Sequence, residues 1–175
     1  MRKKRFRYCP YCAAPMQMIL KETRKGQEIW KNACPQNDCA FVDWNNPVPV
    51  SIVIIPHEDG IVLIERKRNP GKGKIALAGG FVDEDEDPEE AAVREAMEEV
   101  GLTIEISRLL MTYTSKSVNQ HINVFVAKPV SAIPVAGDDA ERAFVCPVAD
   151  IPFDQLAFNV HRVALKKWLE QTNSP

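Results

Sequence analysis

The pattern of apolar and polar positions changes character near residue 46. Before it, "MQMILKETR" is apolar-rich and "QEIWKNA" alternates, with "KGQ" between them. Two short runs joined by a glycine turn predict a β-hairpin. After the punctuation "NNPVP", the runs "VSIVIIP" and "GIVLIERKR" predict two strands joined by the turn "HEDG". "IALAGGFVD" is a short apolar run broken by two glycines. "TIEISRLLMTYTS", "HINVFVAKPV" and "DDAERAFVCPV" predict three further strands. The chain closes on "FNVHRVALKKWLEQT", where Val160, Val163, Ala164, Lys167 and Trp168 follow helical spacing. Strands mixed with two helices predict an α+β or α/β domain, residues 47–175, behind a small β module, residues 1–46.

The helix with the strongest signals lies in the middle of the chain. Asp87 is placed to be its N-cap, Pro88 its first residue and Glu90 the acid of a capping box, while Gly101 is placed to stop it. These signals predict a helix over 88–100. Ala92, Val93, Ala96, Met97 and Val100 then share an arc that would pack on a sheet. Glu95, Glu98 and Glu99 fall within an adjacent arc of about 100°. Ten carboxylates crowd residues 83–101. Like charges at i,i+3 and i,i+4 destabilise a helix by a few tenths of a kcal/mol per pair. A hard divalent cation, Mg²⁺ or Mn²⁺, would reverse that sign; a plain solvated acidic face is the competing reading.

Composition removes several function classes. The 175 residues carry a net charge of −2, which gives no global attraction to nucleic acid or membrane. The longest apolar stretch, "VPVSIVII", is half or less of the ~20 residues that span a bilayer. The basic start "MRKKRFR" runs into "YCPYC" rather than into an apolar segment, so a cytoplasmic protein is expected. In that reducing setting paired cysteines predict metal ligands rather than disulfides. Cys9-x2-Cys12 and Cys34-x4-Cys39 flank the predicted hairpin and read as a zinc ribbon holding Zn²⁺ through four thiolates. The second spacing is wider than the usual two residues. Cys146 sits in an apolar run and reads as a buried thiol.

Gly80, Glu86, Arg94, Glu95, Ala96, Glu98, Glu99, Gly101 and Leu102 together spell G-x5-E-x7-R-E-U-x-E-E-x-G-U. This resembles a complete Nudix box, and "IALAGG" resembles the short strand that enters it, with Ala78 where proline is common. The resemblance implies an α/β/α sandwich around a mixed sheet, hence an α+β class. It also implies hydrolysis of a nucleoside diphosphate linked to a group X. By the same resemblance Glu95, Glu98 and Glu99 would bind the divalent metals and the Gly80 carbonyl would complete their shell. Arg94 would orient a box glutamate, and Glu86 would play a structural part. Gly79 and Gly80 would line the substrate path, and a later acid, Asp139 of "AGDDAERAF", would serve as ligand or base beside the alternatives Asp138 and Glu141.

A ribbon ahead of the box is similar to the short zinc-ribbon branch of that family, which implies ADP-ribose or FAD as substrate and a homodimer. The larger NADH pyrophosphatases carry an "SQPWPFP"-type segment where this chain has "TYTSKSVNQHINVF". Arg66, with Lys67 and Arg68, is a candidate for the diphosphate, and His121 for a phosphate or base. Phe125 and Tyr113 are candidates for adenine stacking, against simple core packing. Two alternatives stand beside this reading. One is a pyrophosphatase for oxidised dNTPs. The other is a nucleic-acid-binding protein, using ribbon and basic tail, with a ligand-sensing domain; the intact glutamate set argues against it.

Overall fold

The computed structural model describes residues 6–22, 25–137 and 139–172. Most of the basic tail (residues 1–5) and Asp138 lie outside the described residues. The chain divides into two compact units, Met1–Asn46 and Pro47–Pro175.

In the first unit, β1 (Gln17–Glu22) and β2 (Glu28–Ala33) form the antiparallel hairpin, with Leu20 opposite Trp30. The two-residue strand β3 (Val42–Asp43) adds to β2. The apolar cluster here consists of Cys9, Met16 and Cys34, with Phe6, Ala14, Cys39 and Phe41 packed against it. So small a cluster cannot offset the conformational entropy of a unit this size without a cross-link or a metal.

The second unit contains β4 (Val48–Ile54), β5 (Pro56–His57), β6 (Gly60–Arg66), β7 (Ile75–Ala76) and β8 (Ala78–Phe81), followed by α1 (Pro88–Val100). β9 (Ile106–Ser115), β10 (Gln120–Ala127), β11 (Ala140–Cys146) and α2 (Asn159–Thr172) complete it. One sheet has the order β8-β4-β10-β9 and is mixed, since β4 and β10 run parallel and the other pairs antiparallel. The other has the order β11-β6-β5, with β7 paired to β6.

The side-chain alternation of β4 explains the layering. Val50, Ile52 and Ile54 join a core that includes Val160, Ala164, Leu165 and Trp168 of α2. Val53 and Ile55 join a separate core with Ala92, Ala96 and Val100 of α1. A strand covered on both faces reads as a continuous apolar run, as "SIVII" does. The result is the expected α/β/α sandwich.

Three local expectations need correction. "HEDG" closes a hairpin only between the stub β5 and β6; β4 bends away at Ile55 into the other sheet. Met97 is 47% exposed and Ala91 fully buried, so the inward arc of α1 is rotated toward Ala91 and is narrower than the pattern suggests. On α2 the buried positions are Val160, His161, Ala164, Leu165 and Trp168, not Val163 and Lys167. His161, Ala164, Leu165 and Trp168 stand at i, i+3, i+4 and i+7, a regular stripe in which a histidine occupies an apolar position.

Candidate active site

Helix α1 starts as its caps dictate. The Asp87 carboxylate accepts from the N–H groups of Glu89 and Glu90, and the Glu90 carboxylate accepts from the Asp87 N–H at 2.8 Å. Gly101 ends the helix at φ 65°, a left-handed conformation that glycine adopts without penalty. Ser51, fully buried on β4, donates its hydroxyl to the Pro88 carbonyl at 2.7 Å and ties the helix start to the sheet.

Arg94 is the hub of the acidic cluster. Its Nε and Nη2 donate to the two oxygens of Glu86 at 3.1 and 2.6 Å, and Nη2 also donates to the Phe81 carbonyl at 2.9 Å. Nη1 donates to Glu95 Oε1 and to Glu98 Oε2, both at 3.0 Å. The forked pairing holds the Glu86 carboxyl below its usual range and the guanidinium firmly charged. Burial pushes the Glu95 carboxyl up, with Arg94 opposing the rise.

Glu99 lies deeper, 5% exposed, and accepts from the Gly79 N–H at 2.9 Å. Burial raises its carboxyl to about 7; the Gly79 N–H and the charge of Arg66 pull it back, while Glu95 and Asp139 add to the rise. A buried carboxylate short of donors is one that a cation or a proton would stabilise. The set of oxygen donors on Glu95, Glu98 and Glu99 therefore fits a hard divalent ion. The three do not converge on one point, however. Arg94 gathers Glu95 and Glu98, and Glu99 turns to the backbone of β8. Among the described residues, the four cysteines are the one group of three or more ligand-type side chains whose donor atoms lie within 4.8 Å of one another.

The β8 backbone also borders a cavity of about 480 Å³ lined by Gly79, Gly80, Phe81 and Arg66, by Tyr113 on β9, and by the start of α2. That volume is within the ~300–1,000 Å³ usual for small-molecule sites. Arg66 donates through Nε to the Pro70 carbonyl at 2.9 Å and places its guanidinium 5.2 Å from the centre of the Phe158 ring. A fixed cation near the buried Glu99 carboxylate, on the lining of a largely apolar cavity, is the arrangement an anionic ligand with an apolar end requires.

A NUDIX-domain family model matches residues 45–169. The chain belongs to the Nudix family. It is similar to an ADP-ribose pyrophosphatase of Methanocaldococcus jannaschii, 39% identical over 124 residues that make up 69% of this chain and 72% of that protein. It is also similar to the NAD-capped RNA hydrolase NudC of Edwardsiella ictaluri, 33% identical over 98 residues, of which it spans 34% of the length. The crystal structure of a Nudix hydrolase from Nitrosomonas europaea superposes with a TM-score of 0.84 at 26% identity, covering 97% of this chain and 95% of that one. The protein is thus a Nudix hydrolase.

The remaining candidate residues divide by position. Gly79 and Gly80 border the cavity with Arg66, whereas Lys67 and Arg68 are exposed. Asp139 is exposed and ion-paired to Arg68 at 2.9 Å, near enough for its charge to act on Glu99. His121 lies elsewhere. Its neighbours Gln120 and Ile122 line the cavity, so strand alternation turns His121 to the other face, where its Nδ1 is 3.4 Å from Thr114 Oγ1. Phe125 is buried in the α1 core, away from the cavity, while Tyr113 does line it. His161, Phe158 and Asn159 were missed: Asn159 donates to the Tyr113 hydroxyl at 3.2 Å, and His161 accepts from the Leu77 N–H at 3.1 Å. The one available signal was the shifted stripe of α2.

In the first unit, the Sγ atoms of Cys9 and Cys39 are 3.5 Å apart and those of Cys12 and Cys34 are 3.4 Å apart. All five cysteines of the chain are free thiols. A tetrahedral ion with Zn–S bonds of ~2.3 Å would hold its sulfurs ~3.8 Å apart, so the cluster fits zinc closely. Cys146 is buried in the second unit and is not one of the four. No described helix is long and apolar enough to cross a membrane.

Proposed function

We propose that the protein is a metal-dependent pyrophosphatase that cleaves an ADP-linked metabolite, ADP-ribose or FAD, and releases AMP. The observation that carries this reading is the buried Glu99 carboxylate, held by Gly79 of a cavity that Arg66 also lines. In the reading, Glu95, Glu98, Glu99 and the Gly80 carbonyl would hold Mg²⁺ or Mn²⁺. The ion would neutralise phosphate oxygens and lower the pKa of the attacking water. Arg94 positions Glu95 and Glu98 and is itself anchored on Glu86 and on the Phe81 carbonyl. Arg66 binds the diphosphate. Glu99, with Asp139 adding negative charge nearby, is suited in its carboxylate form to take the water proton. The water oxygen joins one phosphorus, and the bridging oxygen leaves with the other phosphoryl group. No covalent enzyme intermediate is required, since positioning and electrostatics supply most of the barrier lowering.

The four cysteines hold structural Zn²⁺ in this reading, and the protein acts in the cytoplasm as a homodimer. The similarity to an ADP-ribose pyrophosphatase supports the substrate class. The test is a hydrolysis panel of ADP-ribose, FAD, NADH and 8-oxo-dGTP with Mg²⁺ and with Mn²⁺, products separated by chromatography, beside a Glu98→Gln variant. AMP from ADP-ribose or FAD, lost in the variant, is expected. Exclusive turnover of NADH or 8-oxo-dGTP would overturn the substrate assignment, and silence with both metals from zinc-loaded protein would overturn the enzymatic one.

A further inference from the structure

We infer that His161 is a specificity-determining residue, which donates a hydrogen bond from a neutral Nε2–H to an acceptor atom on the nucleobase of the substrate. The inference rests on the pyrophosphatase reading above and extends it to the end of the substrate remote from the phosphates.

His161 is 3% exposed and yet lines the cavity. Its Nδ1 accepts from the Leu77 backbone N–H at 3.1 Å, which uses the lone pair of that nitrogen and leaves the ring proton on Nε2. Among the described residues no partner engages Nε2, and the atom is not sealed off from the cavity. A second proton is opposed by burial first and by the charge of Arg66 second, which together bring the ring down to about 3. At neutral pH the cavity therefore contains an uncharged, buried donor of fixed direction.

The chemistry around it selects the ligand group. Ile52, Leu77, Ile122 and Val160 give apolar walls, and Tyr113 and Phe158 add aromatic ones. The Phe158 ring meets the His161 ring edge-on, with centroids 5.4 Å apart. The same Phe158 ring carries the Arg66 guanidinium. A phosphate would seek Arg66 and gain little from a neutral imidazole in an apolar wall. A nucleobase offers a flat apolar body together with ring nitrogens or carbonyls that accept one hydrogen bond. A site built to satisfy such an acceptor discriminates against a group that lacks it, because that group displaces solvent from the donor and leaves it unpaired.

The test compares ADP-ribose kinetics of the wild type with His161→Asn. The asparagine Oδ1 can still accept from Leu77 N–H, while the Nε2 donor is gone. The expected result is an increase of about tenfold in KM, as one neutral hydrogen bond supplies, with the change concentrated in KM rather than kcat. Independently of any variant, long-range ¹H–¹⁵N NMR of the wild type should show the Nε2-protonated neutral ring, and AMP should move the Nε2 resonance. An Nε2 resonance unmoved by saturating AMP, or a variant KM within twofold of the wild type, overturns the inference while leaving the pyrophosphatase reading intact. A wild type that hydrolyses no nucleoside diphosphate derivative overturns both.

Discussion

Gly79 and Gly80 are neighbours, and an added methyl group should separate fold from function at them. A Cβ at Gly79 would stand 2.3 Å from the Ser51 carbonyl oxygen and 2.6 Å from the Ile52 Cα, both backbone atoms of the adjacent central strand. Its φ of 147° is also one that L-residues rarely adopt. Neither obstacle can be removed without displacing β8 from β4, so Gly79→Ala should destabilise the fold by about 3–4 kcal/mol. For a unit this size that is a fall of roughly 9–15 °C in Tm. A Cβ at Gly80 instead meets Glu95 Oε1 at 2.2 Å, the far end of a flexible side chain. The carboxylate swings aside, gives up one contact with Arg94, and the fold loses about 1 kcal/mol or less. Hydrolysis should nevertheless fall at least about tenfold, because a proposed metal ligand has moved by more than an ångström. Differential scanning calorimetry and the ADP-ribose assay on both variants decide the matter. Equal melting of the wild type and Gly79→Ala, or a larger loss of Tm in Gly80→Ala than in Gly79→Ala, would refute the reasoning.

Three further outcomes can be checked on the same protein. Glu99 has a folded pKa of about 7 against 4.5 unperturbed, so the folded state binds the extra proton between those values and the charged form weakens the fold above pH ~7. In metal-free protein at pH 8, Glu99→Gln should therefore raise stability by about 2 kcal/mol while abolishing hydrolysis, with the gain gone below pH ~4.5; urea unfolding measures it, and a destabilised variant would contradict it. His161 has the opposite linkage. Its folded pKa of about 3 lies below the usual 6.5, so the unfolded chain binds the proton first and stability falls as pH drops through 6.5. Subtracting the His161→Asn profile should expose a loss of about 1.4 kcal/mol between pH 7.5 and 5.5; parallel profiles would show that the ring is not held neutral. Finally, the protein should carry about one zinc per chain by mass spectrometry of metals, and a strong chelator should open residues 6–46 to protease while residues 47–172 stay resistant. Resistance of both parts after zinc removal would mean that the small cluster around Met16 suffices alone.

What could be read in advance follows from where the information sits. Helix α1 was legible to the residue because Asp87, Pro88, Glu90 and Gly101 act locally, each on backbone groups within four positions. The glutamates were marked by the resemblance of residues 80–102 to a Nudix box rather than by local physics, and the two-faced burial of β4 accords with its unbroken apolar run. The partnering of strands was not legible. β4 pairs in parallel with β10, some 70 residues away, and nothing in "VSIVII" distinguishes that neighbour from the hairpin partner that "HEDG" suggested. The facing of His121 and of His161 was not legible, because a strand period of two and a helix period of 3.6 leave their phase undetermined until the packing fixes it. A polar residue in the apolar stripe was the clue at His161.

The two halves of the candidate site share one physical support that carries no side-chain signal at all. Glu99 belongs to the layer of α1 and His161 to the layer of α2, on opposite faces of the sheets. Each is held by a backbone N–H of the same short segment: Gly79 donates to Glu99 Oε2, and Leu77, two residues earlier, donates to His161 Nδ1. Between them Ala78 pairs with Val53 of β4, which fixes the segment in register. A displacement of this segment would thus release the buried carboxylate and the buried imidazole together. Gly79→Ala should accordingly do more than lower Tm: the Nε2-protonated His161 signal should give way to a mixture of tautomers. Gly80→Ala, which meets a side chain only, should leave that signal in place. An unaltered His161 signal in folded Gly79→Ala would show that the two layers are supported separately.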